Sequence, residues 1–198
     1  MNLAFSEEQM PVRIVFEKPI SDEALMRFSA ANEWLRVERD ASGELIVMSP
    51  VGSEGSAKEL NVAIELALWA RKDARGKAFG STAGFTMPDT SVPAADAAWV
   101  SLVRWNALTD EEQQGYAPIC PEFVIEIRSK SDRLKTLQAK MEMWIANGAE
   151  VAWLIDPERK VVEIYRPGDS PEVMHEPSSV QGTGPVAGFE LVMARVWG

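Results

Sequence analysis

Histidine and cysteine are almost absent from this sequence, and their scarcity limits the chemistry open to it. The 198 residues contain one of each. A Ser-His-Asp triad or a Cys-His pair would have to use His175, which lies in a loop-rich segment and is more typical of a solvated side chain. Zinc sites need several His or Cys ligands. Cys120 has no partner for an internal disulfide, so we expect a cytoplasmic protein.

Several common sequence motifs are also missing. No GxSxG surrounds a serine, and neither GxxxxGK[ST] nor GxGxxG follows a predicted strand. No apolar run approaches the ~20 residues that a membrane helix needs, so no membrane partner is expected. The first residues, MNLAFSEEQM, have neither the basic start nor the apolar stretch of a secretory signal.

An excess of positive charge is absent as well. The chain has 20 Lys and Arg against 30 Asp and Glu, a formal net charge of -10. Proteins that bind nucleic acid through phosphates usually present a basic surface, so this balance argues against a strong DNA binder. It leaves open a local cluster of basic residues, or a divalent cation that neutralises a carboxylate site.

The length and the hydrophobic content of 46% predict a single soluble domain over residues 1–198. Its first 50 or so residues form an N-terminal helix and hairpin that we interpret as an elaboration. The helix opens at Ser21 with Leu25, Phe28 and Trp34 as its buried residues. LRVERD and ELIVMSP then form a β-hairpin that ends at Pro50.

The rest of the chain alternates helices and strands. The patterns predict a helix from Ser53 to about Ala74 that Gly76 stops, a strand or a bent pair over 79–87, strands over 95–102, 123–127, 150–155 and 160–166, and a short helix near 109–112. A second long helix buries Leu134, Leu137, Met141, Trp144 and Ile145, and Asp132 is its predicted N-cap. Residues 167–188 are loop with at most one short strand near Val173, and 189–196 close the sheet. This order predicts an α/β or α+β fold with a mixed sheet flanked by helices.

Two acidic residues lie in apolar strands. Asp96 opens ADAAWVSL, and Glu126 interrupts FVIEI. If these strands are neighbours, the two carboxylates could share Mg²⁺ or Mn²⁺, the cations that oxygen ligands suit. The alternative is an ion pair between Glu126 and Arg128 or another base, because strand periodicity puts these two residues on one face.

Three segments resemble a known family. ADAAWVS, PEFVIEIRSKSDR and GAEVAWLIDPERKVVEIYRPG are similar, in this order, to the Uma-two-type endonuclease family, a branch of the PD-(D/E)XK restriction-endonuclease-like superfamily. The resemblance runs from MSPVGSEGS to GFELVM. It implies a central mixed sheet flanked by helices and DNA cleavage with Mg²⁺ or Mn²⁺.

The resemblance also implies site residues. Asp96 matches the family's Asp, with Ala95 in place of the preceding proline, and Glu126 matches the strand Glu. Arg128 stands where a lysine would follow, and because an arginine does not release its proton we give it a phosphate-binding role instead of that of a base. Lys140, in the next helix, matches the catalytic lysine. Its alternative is a solvated lysine whose stem packs on an apolar face.

Glu54 matches an upstream glutamate that would be a third metal ligand. Its alternative is an acid at a helix start that complements the macrodipole. Gly55 replaces the histidine that follows in relatives.

The sequence thus predicts a Mg²⁺-dependent endodeoxyribonuclease with Asp96, Glu126 and Lys140 as catalytic residues. The second hypothesis is a catalytically silent binding or assembly module on the same fold, favoured by Gly55, Arg128 and the acidic balance. A homodimer is compatible with either. The tryptophans at 99, 105, 144 and 153 are interpreted as core, not as a platform for bases.

Overall fold

The computed structural model of the protein describes residues 11–48 and 51–197. The predicted end of the hairpin at Pro50 lies outside these ranges. The strands are β1 Val12–Ile14, β2 Arg36–Arg39, β3 Leu45–Met48, β4 Gly76–Gly80, β5 Ala97–Ser101, β6 Phe123–Ile127, β7 Val151–Asp156, β8 Val161–Tyr165, β9 Glu172–His175, β10 Ser179–Gln181 and β11 Glu190–Val192. The helices are α1 Asp22–Ala30, α2 Ser53–Asp73, α3 Leu102–Trp105, α4 Asp110–Gln114, α5 Leu134–Ala146 and α6 Ala194–Trp197. None of the helices in the described ranges is long and apolar enough to cross a membrane.

Six strands form the main sheet in the order β4-β5-β6-β7-β8-β9. β6 and β7 run parallel, and the other neighbouring pairs are antiparallel. Every residue of β6 and β7 is buried, because both strands are central and helices cover both faces of the sheet. The predicted mixed sheet flanked by helices is confirmed.

The two long helices cover opposite faces of this sheet. α2 turns Val62, Leu66 and Ala70 inward at a spacing of four residues, and this stripe joins the core that contains Phe123 and Ile125. On the other face, α5 buries Met141 and Trp144 against a second core cluster that includes Val124, Ala152 and Leu154. Glu126 follows Val124 by two residues, so strand alternation directs its side chain toward α5.

A second, three-stranded sheet has the order β1-β3-β2 and packs with α1 around Leu25 and Leu45. Backbone hydrogen bonds in both directions tie Arg39 of β2 to Val92, at 3.2 and 2.7 Å. Val92 lies shortly before β5. This attachment brings β2 next to the beginning of β5, where Asp96 lies.

Some local predictions were wrong. Trp34 is 83% exposed, although it was predicted to be buried with Leu25. The first strand of the sheet is Gly76–Gly80 and not 79–87. α2 ends at Asp73, close to the predicted end near Ala74, but the residue that stops it is its C-cap Ala74, in the left-handed region with φ 59°, and not Gly76. Gly76 has a packing role instead, because a Cβ atom there would lie 2.2 Å from the Trp99 ring.

The C-terminal part also differs from the prediction. β11 pairs with β10 in a separate two-stranded sheet, so residues 189–196 do not close the main sheet. These two strands and α6 lie against the α2 face, and Val186, Phe189 and Leu191 complete the core there. Val173 lies in β9, which confirms the short strand predicted near it.

Candidate active site

Asp96 and Glu126 lie side by side at the end of two neighbouring strands. In the antiparallel pairing of β5 and β6, Ala97 is opposite Ile125, so the next position pairs Asp96 with Glu126. Asp96 accepts a hydrogen bond at Oδ2 from the backbone N–H of Ile127, at 2.7 Å. Both carboxylates are buried, 4% and 3% exposed. The strands are therefore neighbours, as the predicted shared site requires.

Lys140 of α5 reaches the same place. Its Nζ lies 2.9 Å from Glu126 Oε1 and 2.8 Å from Glu38 Oε1, and it donates a hydrogen bond of 2.9 Å to the carbonyl of Ala94. Its side chain is 17% exposed. Lys140 is thus an anchored cation beside Glu126, not a solvated lysine at the helix surface.

Glu126 has a second donor on the same oxygen. Trp144 Nε1 donates to Oε1 of Glu126 at 3.0 Å, so the indole that fills the core also fixes the carboxylate. Within the described ranges, no hydrogen-bond donor contacts Oε2 of Glu126. Glu126 is therefore paired with Lys140, a base other than Arg128, as the alternative interpretation allowed, while Arg128 pairs with Asp156.

Three charged residues complete this cluster, and the sequence reasoning missed their role. Arg36 Nη2 contacts Asp96 Oδ1 at 3.1 Å, and its Nη1 lies 3.6 Å from Glu59 of α2. Glu38, two residues after Arg36, contacts Lys140. The alternation of Arg36 and Glu38 in β2 was visible in the sequence, but nothing local indicated that this hairpin packs beside Asp96.

Burial and mutual repulsion change the acidity of the cluster. Burial raises the pKa of Glu126 to about 7, and repulsion from Asp96 and Glu38 adds to this rise while Lys140 opposes it. Burial also raises the pKa of Glu59 to about 7, helped by Asp96 and opposed by Arg36. Although burial opposes it, attraction to Glu126 and Glu38 raises the pKa of Lys140.

The formal charges explain these directions. Glu38, Glu59, Asp96 and Glu126 face Arg36 and Lys140, so four carboxylates against two cations leave a formal charge of -2. A buried excess of negative charge disfavours ionisation of the carboxyls and favours the protonated lysine. A bound divalent cation would neutralise this formal charge of -2.

Glu54 is not brought into this cluster. Its side chain is 83% exposed at the start of α2 and forms an ion pair of 3.1 Å with Lys58, one turn along the helix. The hydrogen bond from Lys58 lowers the pKa of Glu54, with attraction from Lys58 and Lys130 as further causes. Glu54 thus lies as the alternative interpretation describes, as an acid at a helix N-terminus that complements the helix macrodipole. Its role as a metal ligand stays a prediction.

Arg128 also has partners of its own. Its Nη1 lies 2.8 Å from Asp156 Oδ2, and its Nε donates to the carbonyl of Asp132. These contacts engage two of the five N–H donors of Arg128, so a phosphate would have to bind the remaining ones beside a buried carboxylate. Asp132 accepts hydrogen bonds from the N–H and hydroxyl of Ser129, so it closes the turn and is not the N-cap of α5, which is Arg133.

The donor set suits a hard cation such as Mg²⁺ or Mn²⁺. Carboxylate oxygens are the ligands these ions prefer. Among the residues that the structure describes, none donates to Oε2 of Glu126, and each Asp96 oxygen, although it accepts one hydrogen bond, keeps another lone pair. In the described parts of the chain, no group of three or more His, Cys, Asp or Glu is placed to hold a metal ion. Asp96 and Glu126 would therefore supply two protein ligands, with water or phosphate as the others.

Comparison with known proteins identifies the family. The sequence matches the Uma2 family, described as "Putative restriction endonuclease", over residues 22–194. The chain belongs to the Uma2 family. The Uma2 match begins at residue 22, so it includes the hairpin that contributes Arg36 and Glu38. No curated protein matches the sequence.

Two solved structures show how far the Uma2 chain resembles known folds. One is a "putative nuclease belonging to DUF820" from Anabaena variabilis ATCC 29413, with a TM-score of 0.68 and 22% identity over 81% of this chain and 89% of that one. This similarity shows that the two chains share a fold. The second is a chain of the DrdV–DNA complex, with a TM-score of 0.38 and 11% identity, which covers 58% of this chain and 9% of that one.

Proposed function

We propose that this Uma2 chain is a Mg²⁺-dependent endodeoxyribonuclease that hydrolyses phosphodiester bonds. The observation that carries the proposal is the meeting of Asp96, Glu126 and Lys140 at one end of β5 and β6. Three charged groups from distant parts of the chain converge in a buried place, where an unbalanced charge destabilises the fold. Such an arrangement is typical of a catalytic site.

Asp96 and Glu126 would hold the cation. When bound, Mg²⁺ supplies a Lewis acid that activates water and balances charge on the phosphate. The hydrogen bonds from Ile127 N–H and Trp144 Nε1 fix both carboxylates before any ligand arrives. Pre-organisation of this kind reduces the reorganisation that the site undergoes in the reaction.

Lys140 would stabilise the charge that develops on the phosphate. Its raised pKa keeps the ammonium protonated at neutral pH, so it cannot accept the proton of the attacking water. Glu59, whose pKa is raised to about 7, lies next to Arg36 at the Asp96 side of the cluster and is the carboxyl best suited to accept that proton.

Contacts to DNA phosphates would come from the turn between β6 and α5. Lys130 and Arg133 are exposed in this turn and Lys135 is exposed in the first turn of α5, and none of them has an ion-pair partner in the part of the chain that the structure describes. They form a local basic cluster in an acidic protein. These three residues are better placed to contact a phosphate than Arg128, which is held by Asp156.

Cleavage of supercoiled plasmid DNA tests this function. We expect nicking or linearisation in the presence of Mg²⁺ or Mn²⁺, and loss of cleavage in Glu126→Gln, which keeps an oxygen for Trp144 but loses the charge. Glu122→Gln is the matched control, because Glu122 is also buried and lies just before the other end of the same strand, paired with Arg104. Cleavage that persists in Glu126→Gln would remove Glu126 from the mechanism.

Two glutamates on α2 give a second test. We expect Glu59→Gln to weaken Mn²⁺ binding measured by calorimetry, because Glu59 adds negative charge next to Asp96. It should also lower the cleavage rate at saturating Mn²⁺, because Glu59 is the proposed acceptor of the proton of the attacking water. Glu54→Gln should bind Mn²⁺ like the unmodified chain, because Glu54 is exposed and paired with Lys58. Weaker Mn²⁺ binding in Glu54→Gln, together with unchanged binding in Glu59→Gln, would instead support Glu54 as the auxiliary ligand predicted from the sequence.

A silent binding or assembly module is the second candidate. The observation that favours it is the Arg36 guanidinium, which contacts Asp96 Oδ1 and competes there with any cation. Calorimetry separates the two functions. Mn²⁺ binding that Asp96→Asn abolishes supports the nuclease, and a chain that binds no Mn²⁺ supports the silent module.

A further inference from the structure

The outward face of α2 carries an apolar stripe that no other part of the described structure covers. Leu60, Ile64 and Leu68 are 59%, 43% and 55% exposed, and their spacing of four residues aligns them along about 12 Å of one helix face. Three large side chains exposed in a row are unlike the single exposed hydrophobics that normal surfaces show, and such a patch indicates an interaction site.

A groove lies beside the stripe. It has a volume of about 210 Å³ and is lined by Ala63, Ile64, Ala67, Ala78, Phe79 and Gly80. The last three belong to β4, the edge strand of the main sheet. On the opposite flank of α2, Arg195 forms an ion pair with Glu65 and accepts a hydrogen bond from Asn61 at its carbonyl. The apolar face is thus bounded by α6 on one side and by the edge strand on the other.

The apolar residues on this face have the same spacing in both directions from Ile64, whereas the two ends of α2 carry charges of opposite sign. Leu60 and Leu68 lie four residues before and after Ile64. The first turn of α2 carries Glu54, which stays 83% exposed although it is paired with the more buried Lys58, and the last turn carries the exposed Arg71 and Lys72. In an antiparallel pair of such helices, leucine meets leucine across the centre, and each acidic end lies beside a basic end.

We infer that α2 is the contact between two copies of this chain, related by a two-fold axis near Ile64. A two-fold interface uses the same patch on both subunits, so the patch must be complementary to itself. The stripe satisfies this requirement in both apolar spacing and charge. The inference does not depend on the proposed nuclease function, and its test uses no DNA.

Sedimentation or light scattering of the full chain provides the first test. We expect particles of twice the mass of one chain at micromolar concentration. Ile64→Glu should raise the dissociation constant by about a hundredfold or more, because the two-fold axis places the new charge in the interface twice. Val173→Glu is the matched control: Val173 is 50% exposed on β9, at the other edge of the sheet, and its substitution should leave the dimer intact.

A cysteine at the axis tests the geometry directly. A residue near a two-fold axis lies close to its own copy, so oxidised Ile64→Cys should migrate as a covalent dimer on a non-reducing gel. Val173→Cys should not. Cys120 is buried and does not interfere. A chain that is monomeric at these concentrations overturns the inference, and so does a dimer that neither Ile64→Glu nor Ile64→Cys affects.

Discussion

Substituting Lys140 by Met should lower the free energy of unfolding by about 3–5 kcal/mol, the usual effect of removing one partner from a buried ion pair. Lys140 is the cation between Glu126 and Glu38, at 2.9 and 2.8 Å, and its loss leaves two buried carboxylates facing each other. Met has a similar length and keeps the packing of the stem on α5. Urea unfolding should be measured at pH 8, because protonation of Glu126 at lower pH would make the loss of unfolding free energy smaller.

A double variant separates stability from chemistry. Lys140→Met with Glu126→Gln removes one charge of each sign, and the Gln carbonyl still accepts from Trp144. We expect it to recover a large part of the lost stability and none of the cleavage. Lys135→Met, an exposed lysine of the same helix, should change the stability by less than about 0.5 kcal/mol. A Lys140→Met chain as stable as its parent would show that the buried pair contributes nothing.

The metal-free protein should become less stable as the pH rises from 5 to 8. Glu126 and Glu59 have pKa values of about 7 when folded and near 4.5 when unfolded. Between these values the folded chain binds more protons than the unfolded chain, so the free energy of unfolding falls with rising pH, by an amount on the order of a few kcal/mol. The lowered pKa values of Asp40 and Asp89 act at more acidic pH, outside this window.

Thermal unfolding in EDTA at a series of pH values measures this slope, and Glu126→Gln should reduce it. Mn²⁺ should raise the unfolding temperature more at pH 8 than at pH 5.5, because bound cations favour ionised carboxylates. Asp96→Asn should abolish the Mn²⁺ effect. A metal-free slope of the opposite sign would contradict the raised pKa values of Glu126 and Glu59.

Much of the fold followed from periodicity. The hairpin, α2, α5 and the central strands carry local patterns of apolar residues, and the structure confirms them. Trp34 shows the limit of this reasoning, because a large apolar side chain in a helical pattern is buried only if another element covers it, and none of the described elements does.

The pairing of β10 with β11 shows another limit. Alternation in residues 189–196 indicated a strand, and the structure has one over Glu190–Val192 before α6 begins at Ala194, yet the choice of its partner depends on which edges are free once the whole chain has folded. The local sequence does not determine that choice.

The sequence by itself determined that Glu126 sits in a strand, that Asp96 lies where a strand begins, and that Lys140 lies at the edge of the buried stripe of a helix, because strand and helix periods fix the direction of each side chain. Only the tertiary structure decided that Arg36 meets Asp96 across 60 residues and that Glu38 meets Lys140 across 102. It also placed Glu59 in the cluster in addition to Asp96 and Glu126, and left Glu54 outside. Contacts over such separations depend on how whole elements pack, and the charge balance of a buried site is a property of that packing.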